Sequence, residues 1–176
     1  MKHFAAKEVF KHVLAWLKEN NLPTSKIAMQ KSLFFLQEKG VCLALDFEPY
    51  SYGPFSRQIM KIASEQERCG AIRIQRTEYE VCPEFTDDLR PEEKRKIDVH
   101  LNRLKELLNQ NFSFDNLELT GTVLYCIQAL KENGLSVDRE SVLSEFKTWK
   151  GRKYSDTDIW RVYDVLVEDF VVSVAA

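Results

Sequence analysis

The 176-residue chain has no run of about 18 consecutive apolar residues, the length a membrane-spanning helix needs. Its most apolar stretch, from Phe170 to Ala176, is too short and contains Ser173. Met1-Lys2-His3-Phe4 leads straight into mixed apolar and charged residues, without the apolar core of a secretion signal, so a cytoplasmic protein with no membrane partner is expected. Cysteine is scarce: Cys42, Cys69, Cys82 and Cys126 include no C-x-x-C pair, which excludes a zinc ribbon or a thiol-exchange motif and leaves free, buried or half-buried thiols. The 6 glycines are scattered, with no G-x-G-x-x-G, phosphate-binding loop or EF-hand pattern. Of the 3 histidines none stands in H-x-x-x-H or H-E-x-x-H spacing. His3 lies near a terminus, and His12 and His100 fall on charged helix faces, where solvated side chains are expected. The adjacent acids Asp87-Asp88, Glu92-Glu93 and Glu168-Asp169 read as surface or helix-end pairs. No enzyme, metal or cofactor is expected.

The content is that of a globular protein, with 44% hydrophobic and 30% charged residues and a net charge of −2. That balance excludes a polybasic partner mode and leaves only local basic patches. Charge is uneven: residues 1–84 hold 12 basic and 10 acidic side chains, and residues 85–176 hold 13 and 17.

Phe4, Val9, Phe10, Val13, Leu14 and Leu17 recur at helical steps, predicting an amphipathic helix over 4–20 with Lys7, Glu8, Lys11 and Lys18 outward. Thr24 or Ser25 can cap a second helix that runs to Lys39-Gly40. Val41 to Tyr52 alternates as an extended segment, Gly53 breaks it, and Pro54 is expected to open a third helix. Residues 71–75 and 78–82 form a β-hairpin about Arg76-Thr77. Helices follow from Pro91 to Leu108, from Leu117 to Asn133, from Asp138, and from Ser155-x-x-Asp158. The expected fold is mainly α with a small β-hairpin. It has a winged-helix-like, helix-turn-helix module at 1–84 and a helical extension at 85–176 packed on it as one compact unit.

The segment Ile27-Ala28-Met29-Gln30-Lys31-Ser32-Leu33-Phe34-Phe35-Leu36-Gln37, followed by Tyr50-Ser51-Tyr52-Gly53-Pro54-Phe55-Ser56, resembles the YwgA-like family of small prokaryotic proteins. More remotely it resembles the Panacea (SocA-like) antitoxin domain. Both carry a K-[IL]-x-x-Q-K-x-x-[FY]-[FL]-[LA] helix, a Y-G-P element opening the next helix, and a hairpin. The matching positions are Lys26, Gln30, Lys31, Tyr52, Gly53 and Pro54. Leu119 to Tyr125 and Trp149 to Ser155 look like the YwgA-like C-terminal helices. The resemblance implies a binding or regulatory protein, antitoxin-like in the Panacea case, whose partner is a toxin, and it brings no active site.

Two functions remain open. A protein-docking module would use Tyr50 and Tyr52 as anchors, since tyrosine is enriched at interfaces, while Phe47 and Phe55 would plug the core. A DNA-binding regulator would set Arg57, Gln58 and Lys61 toward bases and Arg73 and Arg76 on phosphates. Against DNA stand Glu65, Glu67, Glu78 and Glu80 in the same region.

Overall fold

The structure, a computed structural model, describes residues 4–171. In chain order the elements are α1 (Ala6–Glu19), α2 (Lys26–Glu38), β1 (Glu48–Tyr50), β2 (Gly53–Phe55), α3 (Arg57–Arg68), β3 (Ile72–Gln75), β4 (Glu78–Val81), α4 (Pro91–Leu107), α5 (Phe114–Glu132), α6 (Arg139–Lys150) and α7 (Asp156–Phe170). The chain is mainly helical, and besides the expected hairpin β3–β4 it has a second antiparallel pair, β1–β2. It falls into two compact units, Met1–Leu117 and Glu118–Ala176. The division therefore lies inside α5 and not at residue 84, because α4, with Ile97, Leu101 and Leu104 buried, packs on α1 and α2.

In the first unit, Val9, Phe10, Val13, Leu14 and Leu17 of α1 are fully buried, as their spacing predicts. The chain then passes beside the hairpin before it turns into α2. Tyr79 N donates to Thr24 O (2.9 Å), Lys26 N donates to Thr77 O (2.8 Å), and Ser25 sits opposite Glu78. Ser25 goes on to cap α2, its Oγ accepting from Ala28 N at 3.1 Å. Helix, a single β-bridge at Ser25, helix, helix and hairpin follow the expected winged-helix-like order, with the β1–β2 ribbon inserted between the second and third helices.

Pro54 does not open α3. It lies in β2 opposite Pro49, and the helix begins at Arg57 after Ser56. The regular part of the expected extended segment shrinks to Glu48–Tyr50. Gly53, at φ 92°, closes the turn over Ser51 and Tyr52 in the left-handed region that side-chain-bearing residues rarely adopt. Two buried side chains of α2 then keep residues 54–56 extended. Lys31 Nζ donates to Pro54 O (2.7 Å), and the Gln30 amide both donates to Ser56 O (3.0 Å) and accepts from Ser56 N (2.9 Å).

The charged face of α1 is not solvated as its pattern suggests. Lys11 and His12 are 7% and 5% exposed, because the connection into α4 folds over them. Lys11 Nζ donates to Asp88 (2.6 Å) and Thr86 (2.9 Å), while His12 lies between Asp87 (Nδ1, 2.9 Å) and Asp98 (Nε2, 2.8 Å). Lys94 adds an ion pair to Asp87 at 2.8 Å. Asp87 and Asp88, expected as a mere surface pair, are thus the acids of an inter-element clamp.

In the second unit, Asp138 and Ser155 cap α6 and α7 as expected, accepting from Ser141 N (2.8 Å) and Asp158 N (3.1 Å). Glu118 is a buried carboxylate gripping the α6–α7 connection, accepting from Lys153 Nζ (2.6 Å), Lys150 Nζ (3.1 Å) and Tyr154 OH (3.2 Å). Burial alone would raise its carboxyl, but the two lysines outweigh that and hold it below the ordinary carboxylate range.

The same opposition acts on Asp87. Burial pushes its carboxyl up, and hydrogen bonds and charge from His12 and Lys94 pull it further down. A carboxylate depressed on folding stabilises fully above its ordinary range and loses that contribution as pH falls through its lowered folded value. Urea unfolding is therefore expected to show stability declining below about pH 4. Asp87→Asn should cost about 1–3 kcal/mol at neutral pH and flatten that acid limb.

Candidate functional site

A groove of about 500 Å³ opens on the first unit, within the 300–1,000 Å³ typical of ligand sites. One wall is the first turn of α2, with Ser25, Lys26 and Ile27; the facing wall is the β1–β2 ribbon, with Tyr50, Tyr52 and Phe55. Met60 of α3 and the Phe112-Ser113-Phe114 run at the start of α5 complete the apolar surface, while Pro23, Thr77 and Glu78 form the rim by the hairpin. Gln30 and Lys31 lie beneath as its buried polar residues.

Rings order this surface. Tyr52 meets Phe114 edge to face with centroids 4.9 Å apart, and Tyr50 stacks on Phe55 at 5.1 Å. Such contacts orient the rings without covering them. Tyr50 and Tyr52 remain 53% and 54% exposed, whereas Phe47 and Phe55 are half-buried and Phe47 packs edge-on against Phe34 at 5.0 Å. The tyrosines present themselves and the phenylalanines support.

Among the residues singled out from sequence, Lys26, Gln30, Lys31, Tyr50, Tyr52 and Gly53 all line this groove. Their roles divide. Gln30, Lys31 and Gly53 build it, through the Ser56 pairing, the Pro54 bond and the turn. Pro54 does not line it and serves through its carbonyl. Lys26 is different: half-buried at the first position of α2, its side chain has no hydrogen bond or ion pair among the described residues.

The residues expected on DNA lie outside the groove and are largely occupied. Arg57 Nε pairs with Glu48 (3.0 Å), Gln58 Oε1 accepts from Asp46 N (2.7 Å), and Arg73 pairs with Glu80 (3.1 Å), which also accepts from Gln75 (2.7 Å). Exposed pairs like these add little stability. They do set an acid against the charge of Arg57 and of Arg73. Lys61 and Arg76 stand exposed, Arg76 in the hairpin turn at φ 45°.

Sequence reasoning missed Ile27, Met60, Glu78, Phe112 and Phe114 as lining residues. Phe112 and Phe114 had a local signal. Phe112, Ser113 and Leu117 have the spacing of a hydrophobic staple around a cap, and Ser113 Oγ accepts from Asn116 N at 3.4 Å. The Asn116 amide also donates to Leu108 O (3.2 Å) and Asn111 O (2.8 Å), fixing the turn that delivers both rings.

No family model matches the chain, and no curated protein matches it. No helix among the described residues is long and apolar enough to cross a membrane.

The groove's rigidity should depend on Gln30 more than on any lining ring. Gln30→Ala strands the buried N–H and C=O of Ser56, and a loss of about 2–4 kcal/mol is expected in denaturant unfolding. Faster amide exchange at Ser56 should accompany it.

Proposed function

We propose that the chain is a non-catalytic docking module of the YwgA-like and Panacea-like kind, acting in the cytoplasm, whose groove receives a segment of a protein partner such as a toxin. The observation that carries this is the pair of exposed tyrosines, Tyr50 and Tyr52, standing over a preformed apolar groove. Exposed aromatic side chains beside a desolvated pocket are the usual anchors of protein recognition. Arg57 and Arg73 supply the contrast, since both are matched by local acids. A DNA-binding regulator is the second reading, favoured by the winged-helix order and by exposed Lys61 and Arg76.

One set of variants separates the two. Tyr50→Ala with Tyr52→Ala should leave thermal unfolding nearly unchanged, because both rings are already half in water, and should abolish retention of co-purifying proteins. A folded double variant that keeps its full set would end the docking assignment. In parallel, anisotropy of a labelled mixed-sequence duplex is expected to show no binding tighter than the nonspecific range of about 10⁻⁴ to 10⁻⁶ M. Binding that weakens steeply with salt and with Arg73→Ala plus Arg76→Ala would instead put the hairpin on DNA.

A further inference from the structure

The groove is apolar, yet its polar groups are not evenly matched in charge. Lys26 is half-buried, and its ammonium has no hydrogen bond or ion pair among the described residues, whereas Lys31, on the floor, donates to Pro54 O. An ammonium kept partly out of water and unpaired loses hydration with nothing to replace it. The first turns of α2 and α5 both border the opening, and helix N-termini favour negative charge. The acid on the lining is Glu78, on the hairpin side. Glu78 is exposed and makes no ion pair with Lys26 among the described residues.

We propose that the partner segment this groove takes is an acidic, apolar one: an aromatic or aliphatic side chain enters among Tyr50, Tyr52, Phe55 and Phe114, and a neighbouring carboxylate meets Lys26. This deepens the docking assignment and rests on it. Charge complementarity selects the occupant. A basic segment would leave Lys26 without a counter-ion, whereas an acidic one supplies the one that is missing among the described residues. Tyr50 and Tyr52 supply the apolar affinity and Lys26 the discrimination.

Two fluorescent dyes with the same rings test the charge preference: anilinonaphthalene sulfonate, an anion, and phenylnaphthylamine, which is neutral. Both are expected to bind the folded protein, and Tyr52→Ala should weaken both. Lys26→Gln should weaken the sulfonate dye about three- to tenfold and leave the neutral one unchanged, as loss of a single charge-assisted contact would. Lys26→Arg should restore it, and Glu78→Gln should tighten it. A short end-capped peptide of phenylalanine and aspartate should displace the sulfonate dye, and its lysine counterpart should not.

If Lys26→Gln affects both dyes alike, or neither, the acidic preference is overturned. Displacement by laurate but not by the acidic peptide overturns the protein segment in favour of a small amphipathic acid, and failure of both dyes to bind overturns the occupant altogether. Retention of partners by the tyrosine variants is measured separately, so loss of the charge preference is distinguishable from loss of the docking assignment.

Discussion

Two glutamine side chains on one stripe of α2 do for the following segment what a neighbouring strand would do. Gln30 donates to and accepts from the backbone of Ser56, and Gln37 does the same for Leu45, donating at 2.9 Å and accepting at 2.9 Å. Seven residues apart, they are about two helical turns from each other and share a face. The stretch from Val41 to Phe47 has no strand partner, and buried backbone polar groups without partners are costly. A primary amide presents one donor and one acceptor side by side, matching an extended residue's N–H and C=O. The helix thereby holds a loop that a sheet would otherwise have to hold.

From that constraint the groove follows. With Ser56 fixed by Gln30 and Pro54 by Lys31, β2 runs alongside α2, and Gly53 turns the ribbon so that Tyr50 and Tyr52 stand at its tip. The third wall is set from the other end of the unit. His12, Lys11 and Lys94 fasten residues 86–88 and the start of α4 to α1, α4 packs on α2, and the turn after it carries Phe112 and Phe114 into place. Apart from Lys26 and the rim, the polar groups near the site are absorbed in construction. The groove is thus built by side chains already engaged with backbone, and the docking reading proposed above draws on what they leave exposed.

Much of this was legible in the sequence, and what was not has identifiable causes. Periodicity located the helices, the caps Ser25, Asp138 and Ser155 fell where their side chains predicted, and the hairpin about Arg76-Thr77 formed even though arginine is a poor turn residue. Local patterns failed wherever a distant segment changed a residue's surroundings. Lys11 and His12 look solvated because their cover, residues 86–98, lies some 75 positions away in sequence. Pro54 looks like a helix start because nothing local reveals that Lys31 holds its carbonyl. For the site, composition pointed to the tyrosines. Met60 joins it only through tertiary packing, beyond the reach of a reading by spacing, while the staple pattern around Ser113 marks a helix start and not a groove wall.

The inserted ribbon links the two functions weighed for this chain. In a winged-helix order, the first turn of the third helix is the part free to enter a DNA groove. Here the ribbon and the loop before it occupy that turn: Glu48 pairs with Arg57, and the backbone of Asp46 donates to Gln58. The same insertion brings Tyr50, Tyr52 and Phe55 to the wall of the groove. One feature therefore engages side chains that would read bases and at the same time creates an apolar, aromatic-rimmed recess. A fold hosts many functions and only its site argues for one. The docking proposal takes its site from that insertion, in the recess between α2, the ribbon and the first turn of α5.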